Sequence, residues 1–211
     1  MPVNPEILTP VLDLLDFLGV AVFALSGALL AAKERQTFVT MGFFALLTGV
    51  GGGTVRDLLI GAPVFWINDA WVAAICLGTA LLAWFTPTRW WDGKLLDYAD
   101  GLGLTAYAVL GTAKALTYGI PPVPAMVMGI VTGCVGGIFR DVVAGRPSII
   151  MRPELYVTAA ALSAALCVAG TLASLPSPIT YSIAAAAGFA LRAAAIRWNL
   201  ALPTYREQDG K

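Results

Sequence analysis

Two short segments of this chain place an arginine and an aspartate side by side just after a run of glycine. They read Gly51-Gly52-Gly53-Thr54-Val55-Arg56-Asp57 and Gly136-Gly137-Ile138-Phe139-Arg140-Asp141. Both lie inside apolar stretches, where an ionisable group is costly and by default marks an ion path or a charge partner. Consecutive glycines weaken a helix by about 1 kcal/mol each relative to alanine. Backbone that leaves the helix at membrane depth is tolerated only where protein or a water-filled cavity satisfies it. The expectation is a helix break at Gly51, Gly52 and Gly53 and a second at Gly136 and Gly137, bordered by the hydroxyls of Thr48, Thr54 and Thr132. Ion-path or gating charges then follow at Arg56, Asp57, Arg140 and Asp141. Close packing is the alternative, because Gly49 and Gly53, like Gly133 and Gly137, form small-xxx-small pairs that let helices touch. Packing accounts for the glycines but not for the charges.

Each charge needs a partner. Adjacent residues on a helix point about 100° apart, so the Arg and Asp of one motif are not expected to pair. At a rise of about 1.5 Å per residue, Arg56 and Asp141 fall on opposite sides of the midplane. Asp16, opening the first span, is the expected tether for Arg56, and Asp100, opening the fourth, for Arg140. Asp57 and Asp141 are then left to face the path, with Lys114 as a candidate partner for Asp57. Snorkelling of long basic side chains to the interface is the competing reading, chiefly for Lys114 and Arg192. Tyr107, Tyr156 and the six tryptophans read as packing residues or interfacial anchors.

Other chemistry is largely excluded. The 211 residues include no histidine, which removes the commonest general base and metal ligand. Cys76, Cys134 and Cys167 sit in apolar stretches without metal spacing, and their odd number argues against a disulfide framework. No nucleophile–base constellation is present, so neither an enzyme, a cofactor nor a metal site is expected. Thirteen basic and thirteen acidic residues leave no net charge, which argues against a nucleic-acid partner.

The elements that must position these residues are membrane spans. The chain is 58% hydrophobic and 12% charged, with a mean hydropathy of +0.79. Soluble domains are about 45–50% apolar and about 25% charged. A hydrocarbon core about 30 Å thick needs about 20 apolar residues in helix. Candidate spans fall near 11–32, 38–60, 70–86, 97–118, 123–144, 154–174 and 178–197, separated by polar or Pro/Gly-rich joints. The first lacks a basic leader and a clean cleavage site, so it reads as a retained span. Lys33, Arg35, Arg89, Lys94, Arg146, Arg152, Arg197, Arg206 and Lys211 all fall on one side. That bias predicts a cytoplasmic C-terminus and an external N-terminus.

An internal repeat organises the spans. Asp16 matches Asp100, Thr48 to Asp57 match Thr132 to Asp141, and Gly61 and Pro63 match Gly145 and Pro147, all at an offset of 84 residues. Each copy holds three spans, so the second must enter the membrane inverted, as in many transporters. The fold class expected is an all-α polytopic membrane protein: two inverted three-helix repeats (1–95 and 96–175), then a seventh helix and cytoplasmic tail (176–211).

The duplicated Gly-Gly-x-x-Arg-Asp motif, with the seven-span layout, resembles the prokaryotic branch of the trimeric intracellular cation (TRIC) channel family. The resemblance covers nearly the whole chain. It implies a homotrimer in a prokaryotic inner membrane, contacting membrane lipid. Each subunit would have its own pore, lined by spans two and five and conducting K⁺ and Na⁺. A secondary transporter of glycine or another small zwitterion is the alternative, since inverted repeats also build amino-acid carriers; a non-transporting scaffold is a third. Weak discrimination between K⁺ and Na⁺ is expected, because no rigid carbonyl filter motif is present.

Overall fold

The computed structural model describes residues 5–91 and 94–203, and side chains within them except at 5–15, 88, 95 and 96. Among the described residues seven α-helices follow in order: α1 (Pro5–Lys33), α2 (Phe38–Leu59), α3 (Ala70–Phe85), α4 (Leu95–Thr117), α5 (Pro122–Val143), α6 (Val157–Leu172) and α7 (Ser177–Trp198). Short 3₁₀ turns lie at Thr88–Trp90 and Ile149–Met151. Of the basic residues used for orientation, Arg206 and Lys211 lie outside the described residues.

Segments Asp16–Lys33, Phe38–Leu59, Pro122–Val143 and Ser177–Trp198 are long and apolar enough to cross a membrane. The helices α3 and α6 are apolar but only 16 residues long, and α4 carries Asp97, Asp100 and Lys114. Helix starts follow local chemistry. The Thr37 hydroxyl accepts from the Thr40 N–H and the Asp69 carboxylate from that of Trp71, while α5 and α7 have proline in the first turn.

Helix ends carry the repeat. At the end of α2, Gly61 is left-handed (φ 69°) and Ala62 N–H donates to the Asp57 carbonyl at 2.8 Å. At the end of α5, Gly145 is left-handed (φ 65°) and Arg146 N–H donates to the Asp141 carbonyl at 2.9 Å. This is the glycine-terminated helix end that satisfies two orphan carbonyls, and it explains why Gly61 and Gly145 repeat.

Helices α1, α2 and α3 pack on one another, as do α4, α5 and α6. The two triplets meet mainly through α2 against α5 and α1 against α4, and α7 packs on α4 and α6. Small buried residues allow this: Ala24, Ala28, Ala45, Ala108, Ala125, Ala159, Ala160 and Ala164 line the contacts.

Candidate ion path and its two charge clusters

The expected helix breaks are absent. Helix α2 runs unbroken through Gly51, Gly52 and Gly53, and α5 through Gly136 and Gly137. The glycines are required by the neighbouring helix instead. A Cβ at Gly52 would strike the Thr132 carbonyl oxygen, and one at Gly136 the Thr48 carbonyl oxygen. Residue 48 lies against 136 and 52 against 132, so α2 and α5 cross antiparallel with both contacts related by the 84-residue offset. A Cβ at Gly51 would come within 3.1 Å of the Phe139 ring, and one at Gly53 within 2.6 Å of the Phe65 ring. Gly137 has more room, with the Tyr156 hydroxyl 3.4 Å from its would-be Cβ. The threonine hydroxyls border no break either. Thr48 donates to the Phe44 carbonyl (2.7 Å), Thr54 to that of Val50 (2.7 Å) and Thr132 to that of Met128 (2.6 Å), the back-bonding usual for threonine inside a helix.

The charges lie about 6 Å beyond the crossing on either side, four residues of helix at about 1.5 Å each. Contrary to expectation, each arginine pairs with its own neighbour. Arg56 Nε donates to Asp57 Oδ1 at 2.8 Å and its Nη2 lies 2.8 Å from the same oxygen. Arg140 Nε donates to Asp141 Oδ1 at 2.9 Å, again with Nη2 at 2.9 Å. The flexible arginine stem spans the angle between adjacent helical positions, so spacing by Cβ direction alone misleads here. The aspartates do not line an open path: Asp57 is 0% and Asp141 5% exposed. Their second oxygens fasten the next loop. Phe65 N–H donates to Asp57 Oδ2 at 3.0 Å and Ile149 N–H to Asp141 Oδ2 at 2.9 Å, each eight residues on.

The other expected partners divide. Lys114 Nζ is 2.8 Å from Asp57 Oδ1, as anticipated. Asp100 Oδ1 lies 3.6 Å from Arg140 Nη1, so that tether exists as a secondary contact. The Arg56–Asp16 tether does not form. Asp16 makes no ion pair among the described residues, because Arg56 is already committed to Asp57. Arg192 does not snorkel: it is 3% exposed and its Nη2 is 2.8 Å from the Glu154 carboxylate. Tyr107 packs on Phe23, ring centroids 5.4 Å apart, and its hydroxyl donates to the Asp16 carbonyl at 3.1 Å.

A family model described as "Glycine transporter" matches residues 13–88 and again 97–171, two stretches whose starts are separated by the repeat offset. A "UPF0126 membrane protein" of Vibrio cholerae is 37% identical over 203 residues, covering 93% of this chain and 84% of its own. The "UPF0126 inner membrane protein YadS" of Escherichia coli is 36% identical over 209 residues, covering 93% and 98%. A crystal structure described as the TRIC trimeric intracellular cation channel orthologue from Rhodobacter sphaeroides is 38% identical. It superposes with a TM-score of 0.83 over 90% of this chain and 99% of its own. This chain belongs to the TRIC family. Another TRIC channel structure, at 24% identity, shares the fold with a TM-score of 0.85 over 94% of this chain and 98% of its own. The all-α, seven-helix membrane fold of inverted repeats is that of the TRIC proteins.

Two cavities reach this TRIC chain's clusters. One of about 260 Å³, with a mostly apolar wall, is lined by residues including Asp16, Arg56, Leu110, Lys114 and Tyr181. The other, about 170 Å³, is lined by residues including Ser26, Asp100, Arg140, Asp141, Ile149 and Arg192. Sequence reasoning missed Ser26, whose Oγ accepts from Arg140 Nη1 at 2.9 Å, and Glu154. It also missed the Phe65 and Ile149 backbone donors. Their positions repeat at the same offset after the Gly-x-Pro turn, which is the one signal that pointed to them.

Proposed function

We propose that this chain is a cation channel with a path through each subunit, passing between α2 and α5 where their glycines cross. The observation that carries the reading is that two cavities each reach one of the two Arg–Asp clusters, one on each side of a shut glycine crossing. The family relationship supports it, since the Rhodobacter sphaeroides relative is described as a trimeric cation channel. The sign of the path follows from the clusters. Free arginines at this depth would repel cations, but Arg56 and Arg140 are each neutralised by an aspartate at 2.8–2.9 Å. Asp16 faces one cavity without an ion pair among the described residues, and Asp100 lines the other.

The finer reading follows the family. The ions are K⁺ and Na⁺, weakly discriminated, and the assembly is a homotrimer in a prokaryotic inner membrane. The C-terminus is cytoplasmic, because Lys33, Arg35, Arg146 and Arg152 share the side of the Arg140 cluster. Arg56, Arg140 and Lys114 act as gating charges held by Asp57 and Asp141, and Thr48 and Thr132 with the crossing glycines form the constriction, with Thr54 beside it.

The description "Glycine transporter" favours a second reading, a carrier of glycine or a similar zwitterion. The continuous helices weaken it: with no break at Gly51–Gly53 or Gly136–Gly137, no free N–H groups are left there to hold a substrate carboxylate. Recording purified protein in planar bilayers under asymmetric KCl decides between the two. Unitary currents reversing toward the cation potential are expected; silence from folded, inserted protein together with saturable glycine uptake would replace the channel with the carrier.

A further inference from the structure

Helix α7 stands outside the repeat, and its end is tied to the joint that serves the Arg140–Asp141 cluster. Arg192 lies buried with its Nη2 2.8 Å from Glu154 and its guanidinium 5.3 Å from the Tyr156 ring centroid. It packs so closely on α4 that a Cβ at Gly101 would come within 2.8 Å of its Cγ. Beyond α7 the chain turns back through Asn199, left-handed at φ 50°. Ala201 then pairs antiparallel with Glu154, and Leu202 N–H donates to the Pro153 carbonyl at 2.7 Å. Lys94 Nζ donates to the Ile196 carbonyl at 2.7 Å, holding the carbonyl end of α7, where a cation is favoured.

These contacts converge on the second cluster. Asn199, Leu200 and Ala201 close a cavity of about 200 Å³ that shares Asp97 and Arg192 with the cavity at Arg140 and Asp141. From Glu154 the joint runs back through the turn at Ile149–Met151 to Ile149, whose N–H fastens Asp141. At the first cluster the positions matching Arg152 and Glu154 are Asn68 and Ala70, so no acid stands at the position of Glu154 there.

We propose that residues 199–202, anchored through the Arg192–Glu154 pair, form a strap that holds the α5–α6 joint against the Arg140–Asp141 cluster and keeps that end of the path closed. The inference rests on the channel reading. Its two halves suit a switch. Residues 199–202 are exposed and held by a few backbone contacts, which open locally at little cost. The anchor is a buried cation that loses compensation if Glu154 leaves. Arg192 is a positioning residue, acting on the cluster through the joint.

The test compares the full chain with a variant ending at Asn199 and with Leu202→Pro, which removes one donor without shortening the chain. In bilayers, both variants should raise open probability several-fold at unchanged unitary conductance. The pair Glu154→Cys/Ala201→Cys lies on the two positions of the antiparallel bridge, where a disulfide can close, and the native Cys76, Cys134 and Cys167 are buried. Oxidising it should lower open probability several-fold, reversibly with reductant, whereas Glu154→Cys alone should show no redox response. Open probability within twofold of the parent in all of these would overturn the strap. Amide exchange over residues 148–156 reads the same contact without conduction. Faster exchange in the truncated chain supports the strap, and unchanged protection overturns it. Faster exchange in a protein whose parent shows no unitary current would leave the strap and remove the channel.

Discussion

At Asp57 and at Asp141 a buried carboxylate holds its neighbouring arginine with one oxygen and a loop N–H eight residues on with the other. The additional partners differ. Asp57 also takes Lys114 from α4, whereas the matching position in α1 is Leu30. Arg140 instead donates to Ser26, whose counterpart in α4 is Leu110. Asp100 stays within 3.6 Å of Arg140, while Asp16 is left without an ion pair among the described residues. The duplicated unit is therefore shared by both clusters, and the unduplicated partners are what make the two ends of the proposed path differ.

The strongest way to break this comparison is to remove the shared unit. Asp57→Ala leaves buried Arg56 uncompensated, Asp141→Ala leaves Arg140 with only the Asp100 contact at 3.6 Å, and each leaves a loop N–H without its acceptor; removal of one partner of a buried pair costs about 3–5 kcal/mol. Asp57→Ala should fall at the upper end, because two cations lose their acceptor there. Thermal unfolding of the purified protein measures both. Equal, small losses at the two sites would mean the loops are held by something else. Next come the glycines at the crossing. Gly52→Ala and Gly136→Ala force a methyl against a backbone oxygen that cannot move alone, an overpacking cost of about 1–3 kcal/mol. Gly137→Ala, with 3.4 Å to its nearest neighbour, should be tolerated. If Gly137→Ala were as damaging as Gly52→Ala, the crossing would not be where the glycines matter.

Much of this was legible in the sequence. The seven spans follow from apolar runs between Pro/Gly joints, and the inverted repeat from one offset shared by charged and glycine residues. The glycines were read as breaks because propensity counts only their cost to their own helix; what they gain lies on the other helix, 84 residues away, and has no local signature. The Arg–Asp pairing was missed for a related reason. Helical periodicity gives the direction of a Cβ, not the reach of a four-bond side chain curling back along the axis. Backbone donors such as Phe65 N–H carry no residue-type signal at all. Lys114 was found because a lone cation in an apolar span must have a partner. Arg192 met the same condition, but its partner Glu154 sits in a joint, where an acid reads as ordinary surface.

The partners that differ between the clusters give smaller effects on stability and larger ones on conduction. Lys114 is 28% exposed at its side chain, so screening leaves its pair with Asp57 worth about 1 kcal/mol or less. Lys114→Leu makes the first cluster resemble the second. It should unfold within a few degrees of the parent, while removing one positive charge from the cavity shared with Asp16. The expected outcome is a higher K⁺/Cl⁻ permeability ratio, read from reversal potentials. An unchanged ratio in a conducting protein would place the path elsewhere than that cavity.

Asp16 offers the smallest and sharpest test. Asp16→Asn removes a charge that compensates no arginine directly, so stability should change by only about 0.5 kcal/mol, as for a substitution that breaks no buried pair. Asp100→Asn alters a group 6% exposed beside Arg140 and should destabilise more, because a buried guanidinium loses part of its compensation. On conduction the order should reverse. The first cavity would then carry Arg56 and Lys114 against Asp57 alone, and its excess positive charge should lower the K⁺/Cl⁻ ratio. In the second cavity Asp141 still neutralises Arg140, so Asp100→Asn should shift the ratio less. Thermal unfolding and reversal potentials on the same two preparations give both orders. A protein in which Asp16→Asn unfolds earlier than Asp100→Asn, with the same permeability ratio in both, would show that Asp16 tethers Arg56 after all and that the two ends of the path are equivalent.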